Sequence, residues 1–218
     1  MRKLIYVLVA IVALGTASCS KSMSQYDKEI DQAEKMMLSN PDSALSMLDA
    51  IDASELKIDS LWAKYHFIKG YGHLKRNRSM IGDSLIIYAH DYYRGKNLVR
   101  DIRSGIVLAW YKFWVGDTPG AMTMLDSLAG LPDVPDSLMT QTLRIRVMLG
   151  ASEYQGQQLI PYAKKLHELE TDSLRKIEAN YMLLTAYEYA GETDSALYLL
   201  DQLVDLSLIH ISEPTRPY

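Results

Sequence analysis

Five histidines, one cysteine and 27 acidic residues are the raw material for chemistry in this 218-residue chain. His66 and His73 lie seven residues apart, so on a helix they share a face two turns from each other. A chelating pair sits at i, i+4 with a paired acid nearby, and neither condition is met, so the two are read as surface or groove histidines. Gly70-Tyr71-Gly72 lacks a third glycine and follows no strand, which excludes a dinucleotide loop. His90 and Asp91 are sequence neighbours whose side chains diverge by about 100° on a helix, a poor geometry for a dyad. The recurring Asp-Ser pairs read as helix starts, where a short polar side chain accepts from an open N–H. Lys75-Arg76-Asn77-Arg78 is a basic turn, either solvated or touching a phosphate or lipid head group. The expectation is therefore no catalytic site, no cofactor and no metal. A lone Cys excludes an internal disulfide and a Cys-rich metal site. A net charge of −4 gives no electrostatic support for nucleic-acid binding.

The two ends carry signals of a different kind. Arg2 and Lys3 precede an apolar run from Leu4 to Leu14, then Gly15-Thr16-Ala17-Ser18 and the only Cys, Cys19. A basic start, a short apolar stretch and small residues read as an export signal over 1–18. A run of about 11 residues is too short for the roughly 20 that cross a bilayer as a helix. Thr16-Ala17-Ser18-Cys19 resembles a bacterial lipobox, with Thr16 where Leu is usual. That resemblance implies cleavage before Cys19 and acylation of Cys19 itself, a membrane anchor followed by a polar tether over 19–25; an ordinary cleaved signal is the alternative. At the other end, Leu206-Ser207-Leu208-Ile209-His210-Ile211-Ser212-Glu213-Pro214-Thr215-Arg216 resembles a translated sequencing-library adapter. The expectation is that native sequence reaches about Asp205, continues differently in the gene, and is replaced over 206–218 by a foreign tail. Without both ends the chain is a mildly acidic body.

Between the ends, the residues above must be positioned by helices. Four segments share a rhythm, Pro41–Asp49, Gly82–Ala89, Pro119–Asp126 and Asp194–Asp201, in which a capping-type residue opens an apolar pattern of helical period. Asn40 before Pro41 and Thr118 before Pro119 fit an N-cap followed by proline at the first helical position. Ala44, Ala121 and Ala196 are spaced by about 77 and 75 residues, roughly two units of 37–38 each, which points to stacked helical repeats. Longer helices are expected near Ser60–Lys75, Asp101–Val115, Asp136–Tyr154 and Asp172–Ala190, with Gly116 and Gly191 ending two of them. Alternating runs joined by hairpin turns are missing from the sequence, so strands are not expected.

These residues resemble the tetratricopeptide repeat (TPR) family, over about 26–205. The last unit carries Leu183, Leu184, Tyr187, Gly191, Ala196 and Leu200. Another has Leu108-Ala109, Gly116, Ala121 and Leu125, a third keeps Leu149-Gly150 before a looser helix over Leu159–Leu169, and the first has Ala44 with Leu48. The second departs most, with Leu85 where Ala is usual. The stretch Asp83–Tyr93 and the helix around Trp110 are similar to the N-terminal halves of exported bacterial TPR proteins, some of them lipoproteins. The resemblance implies an all-α, right-handed αα-hairpin solenoid of about five helix pairs. It also implies that the first helix of each pair lines a concave face. By register that face carries Arg103, Ile106, Trp110 and Trp114; then Arg144, Val147, Ala151 and Tyr154; then Glu178, Tyr181, Thr185 and Tyr189. Arg103, Trp110, Trp114, Arg144, Tyr154, Tyr181 and Tyr189 are the candidate partner contacts. Trp110 and Trp114, at i, i+4, either line this groove or pack between repeats. The implied function is a non-catalytic scaffold for a protein or peptide partner, exported and lipid-anchored in the cell envelope. The absence of acidic residues just after Cys19 favours the periplasmic side. The alternative is the input region of a longer envelope signalling or transcription-regulating protein.

Overall fold

A computed structural model describes residues 22–153 and 156–212. The signal region, Cys19, Tyr154 and residues 213–218 lie outside the described residues. The described chain is all-α, with ten α-helices, one short 3-10 helix and no strand. The helices are α1 (Met23–Met36), α2 (Pro41–Asp49), α3 (Asp59–Lys75), α4 (Leu85–Tyr93) and α5 (Leu98–Trp114). They continue as α6 (Thr118–Ala129), α7 (Asp136–Ser152), α8 (Gly156–Leu169), α9 (Ser173–Ala190) and α10 (Thr193–Ser212). The last helix therefore runs across Asp205 without a break.

Local chemistry sets most of these ends. The Asn40 side chain accepts from the Ser43 N–H at 3.1 Å, with Pro41 opening α2 as expected. Asn40→Ala is expected to lower stability by about 1 kcal/mol, with Asn40→Asp retaining most of it, read by urea unfolding. The expected cap at Thr118 moves back one residue. Asp117 accepts from the Gly120 N–H at 3.0 Å, which places Thr118 and Pro119 inside the first turn. Asn97 caps α5 through the Arg100 N–H at 2.9 Å, so that helix begins three residues before the expected Asp101. The second repeat-like segment opens at Leu85 rather than Gly82, because Gly82 takes φ 98° and no side chain caps the helix start. Gly116 and Gly191 do end their helices in the left-handed region, at φ 86° and 73°, where a side chain would be strained.

Each helix packs on the next in sequence. The odd-numbered helices also pack on one another in series, α1 on α3, α3 on α5, α5 on α7 and α7 on α9. An element with neighbours on several sides must be apolar around most of its circumference. Accordingly α3, α5 and α7 bury residues on all faces, including Phe67, Ile68, Ile102, Val107, Leu143 and Leu149. The even-numbered helices bury one stripe, such as Ala121, Met122, Leu125 and Leu128 on α6. One continuous core joins α1 to α6 and reaches into α7, and two smaller clusters complete it across α7 to α10. The row of odd helices is the frame that holds the site.

Candidate binding groove

Three consecutive members of that row, α3, α5 and α7, enclose an open cavity of about 310 Å³. Tyr71, Leu74 and Lys75 come from α3 and Asn77 from the turn after it; Arg103, Ile106 and Trp110 come from α5; Gln141, Arg144, Ile145 and Met148 come from α7. On each helix the lining residues recur at three or four positions, the spacing that puts side chains on one face.

Arg103, Trp110 and Arg144, together with Ile106, are thus brought to one cavity. Trp110 is only 3% exposed and presents one edge of its wall. Its Nε1–H donates to the Arg78 carbonyl at 3.3 Å, and its ring stacks on Phe113 with centroids 5.8 Å apart. Trp114 does not line the cavity. It stands behind Trp110, edge to face at 5.9 Å, half-buried against the core, with its own Nε1–H unpartnered. Tyr181 and Tyr189 also lie away from the lining, on α9, at 57% and 44% exposure. Val147 belongs to the core, and Glu178 is taken up in an ion pair.

The polar groups are positioned by their neighbours. The Arg144 guanidinium spans two carboxylates, Glu170 at 2.5 Å and Glu178 at 2.5 Å, and so ties α7 to α9 and to the end of α8. Arg103 lies over the Tyr71 ring, 4.8 Å from its centroid, and over Phe67 at 5.6 Å. It stands 3.5 Å from Glu34, which Arg100 already engages through two bonds of 2.7 and 2.8 Å. Lys75 lies 5.4 Å from the Tyr71 centroid. The basic turn is anchored, since Arg76 and Arg78 both pair with Asp42, at 3.1 and 2.9 Å.

Tyr71, Lys75, Gln141 and Met148 escaped the sequence reading of the groove. Tyr71 and Lys75 lie on α3, in the unit whose sequence resembles the TPR pattern least, and the resemblance implies no groove positions there. The i, i+4 pair of Tyr71 and Lys75 beside a basic turn was the available signal.

The histidines have other work. His66 packs edge-on against Trp62 and Tyr65, with centroids at 4.4 and 5.0 Å, and its buried Nε2 has no partner. Burial, then the nearby Lys69 charge, lowers its pKa to about 4. His73 instead meets Asp83 at 2.8 Å, so the two do not form a ligand pair, and no metal-ligating cluster occurs among the described residues. His90 turns away from Asp91, which pairs with Arg94 at 2.9 Å. It packs its Nδ1 3.1 Å from the Ser104 hydroxyl and 3.8 Å from Asp101, whose carboxylate accepts from the Gly95 N–H at 2.8 Å. Ser104 is fully buried, and this histidine, serine and aspartate clamp the α4–α5 connection. Burial lowers the pKa of His90 as well.

Both shifts have a sign for stability. A histidine whose folded pKa lies below its unfolded value binds fewer protons when folded. Stability is then complete above about pH 6.5 and is lost as pH falls toward 4. His66→Phe is expected to flatten that fall, read as urea midpoints between about pH 4.5 and 7.5.

No protein-family model, curated protein or solved structure matches this chain. Among the described residues, no helix is long and apolar enough to cross a membrane.

Proposed function

We propose that this chain is a TPR-like scaffold, tethered to a cell-envelope membrane through acylated Cys19, whose work is to hold a protein or peptide partner. On this reading the ten helices are about five pairs of a right-handed solenoid, and the odd-numbered row is its concave side. The observation that carries the reading is the cavity between α3, α5 and α7, where Arg103, Trp110 and Arg144 meet. Its polar lining consists of cations, amides and one phenol, with no carboxylate, imidazole, thiol or aliphatic hydroxyl to act as base or nucleophile. That supports binding without catalysis. Inner helices that pack in series, with shorter-reaching outer ones, support the solenoid.

The test places a photo-crosslinking residue at Met148, on the cavity rim, or at Thr123, on α6, in the full chain expressed in cells. A discrete protein adduct is expected from position 148 alone, and it is expected to disappear when Arg103→Glu or Cys19→Ser is added. Equal adducts from both positions, or none from either, would overturn the reading. Retention of position 148's adduct in the Cys19→Ser chain would remove the tether from it.

A further inference from the structure

The charge of the cavity is opposite to that of the molecule around it. The chain carries net charge −4, yet every charged residue lining this cavity, Lys75, Arg103 and Arg144, is a cation. The three are not equivalent. Arg144 is compensated by Glu170 and Glu178, which makes it a fixed wall. Arg103 shares Glu34 with Arg100: its Nη1 lies 3.5 Å from the same Oε1 that Arg100 engages at 2.7 Å. Lys75 has no carboxylate partner among the described residues, and it is exposed at the end of α3. Both approach the Tyr71 ring, Arg103 at 4.8 Å and Lys75 at 5.4 Å from its centroid; Arg103 is only partly neutralised by the shared Glu34, and Lys75 is held by cation–π contact.

Apart from the amides of Asn77 and Gln141, the rest of the lining is largely apolar, with Leu74, Ile106, Ile145, Met148 and Trp110 beside Tyr71. At about 310 Å³ the cavity is at the low end of ligand pockets, roomy for one large side chain and too small for a folded element. Interfaces concentrate their energy in such a buried anchor surrounded by a charged rim.

Resting on the scaffold reading above, we propose that the occupant is an acidic protein segment. One aromatic or large aliphatic side chain enters between Tyr71, Ile106, Trp110 and Met148, and carboxylates on flanking residues reach Arg103 and Lys75. The rim charges select the sequence and speed the encounter, while the apolar anchor holds it.

The test uses the purified full chain and fluorescein-labelled nonapeptides with a central Trp flanked by Asp and Glu, by Asn and Gln, or by Lys and Arg. A fourth peptide keeps the acidic flanks around a central Ser. By fluorescence anisotropy the acidic Trp peptide is expected to bind at least tenfold more tightly than each of the others, with affinity falling as salt rises. Lys75→Gln with Arg103→Gln is expected to remove that tenfold preference, with the far-UV circular dichroism unchanged. If the pair perturbs folding, Lys75→Gln alone, at an exposed position, is expected to weaken the acidic peptide about threefold. Equal binding of acidic and neutral peptides, both weakened by Met148→Arg, would overturn the acidic preference and leave the scaffold reading standing. Tightest binding of the Lys and Arg peptide would do the same. Indole acetate binding as tightly as the nonapeptide would replace the protein segment by a small aromatic acid. Binding of no peptide by the folded chain would overturn both readings.

Discussion

Trp110→Ala lowers the stability of the folded chain by about 3–5 kcal/mol, the range for truncating a large aromatic in a packed interior. The indole is 3% exposed and touches two other rings, Phe113 and Trp114, so its removal strips contacts from a cluster that cannot close around the gap. The gap also opens into the existing cavity, which admits water to what was core. A second loss is specific. The Arg78 carbonyl, which fixes the turn after α3, gives up the Nε1–H that it accepts at 3.3 Å. Trp110→Phe separates the two contributions. It keeps a ring and loses the donor, and is expected to cost more than the roughly 1 kcal/mol of a single hydrogen bond because volume is lost as well. Urea unfolding of the two variants reads both. Loss of partner binding in Trp110→Ala therefore cannot distinguish a groove residue from a packing residue, and Met148→Arg is the cleaner perturbation of the same wall.

The helices were legible because their signals are local. Asn40 and Pro41, the apolar periods, and the glycines at 116 and 191 act within a few residues, and each has the expected effect in the structure. The corrected boundaries show the limit of the same logic. Asp117 and Thr118 are both good caps, and their types do not say which one takes the Gly120 N–H. The site was legible in part. Arg103, Ile106, Trp110 and Arg144 are among the groove positions that the TPR resemblance implies and the cavity brings together, whereas Trp114, Tyr181 and Tyr189, implied in the same way, lie outside its lining. Tyr71 and Lys75 lie on a helix for which the resemblance implies no groove positions. The pairing of Arg144 with Glu170, and the burial of His90 against Ser104 and Asp101, depend on how helices dock across many residues of sequence. Nothing in residue type or spacing announces such contacts. His90 shows this clearly, because its sequence neighbour Asp91 faces Arg94 instead.

Arg144→Ala is the second large effect, and its cause is the carboxylate it leaves behind. Glu170 is 6% exposed, and Arg144 is the one cation paired with it among the described residues. Breaking such a pair from one side strands a charge away from water, at a cost of about 3–5 kcal/mol for a fully buried pair. Arg144 is partly open to solvent, so about 3 kcal/mol is expected here. Glu178, on the other arm of the guanidinium, is mostly exposed and rehydrates, so Glu178→Gln is expected to cost less than about 1 kcal/mol. Replacing both members of the inner pair by apolar residues of similar volume, Arg144→Met with Glu170→Leu, removes the stranded charge and is expected to return stability to within about 1 kcal/mol of the original. A complete double-mutant cycle in urea measures the coupling between them. The same double variant separates Arg144 the wall from Arg103 and Lys75 the contacts. If Arg144 only holds α7 against α8 and α9, the restored fold still prefers the acidic Trp peptide. A restored fold that has lost the preference would make Arg144 a ligand contact in its own right.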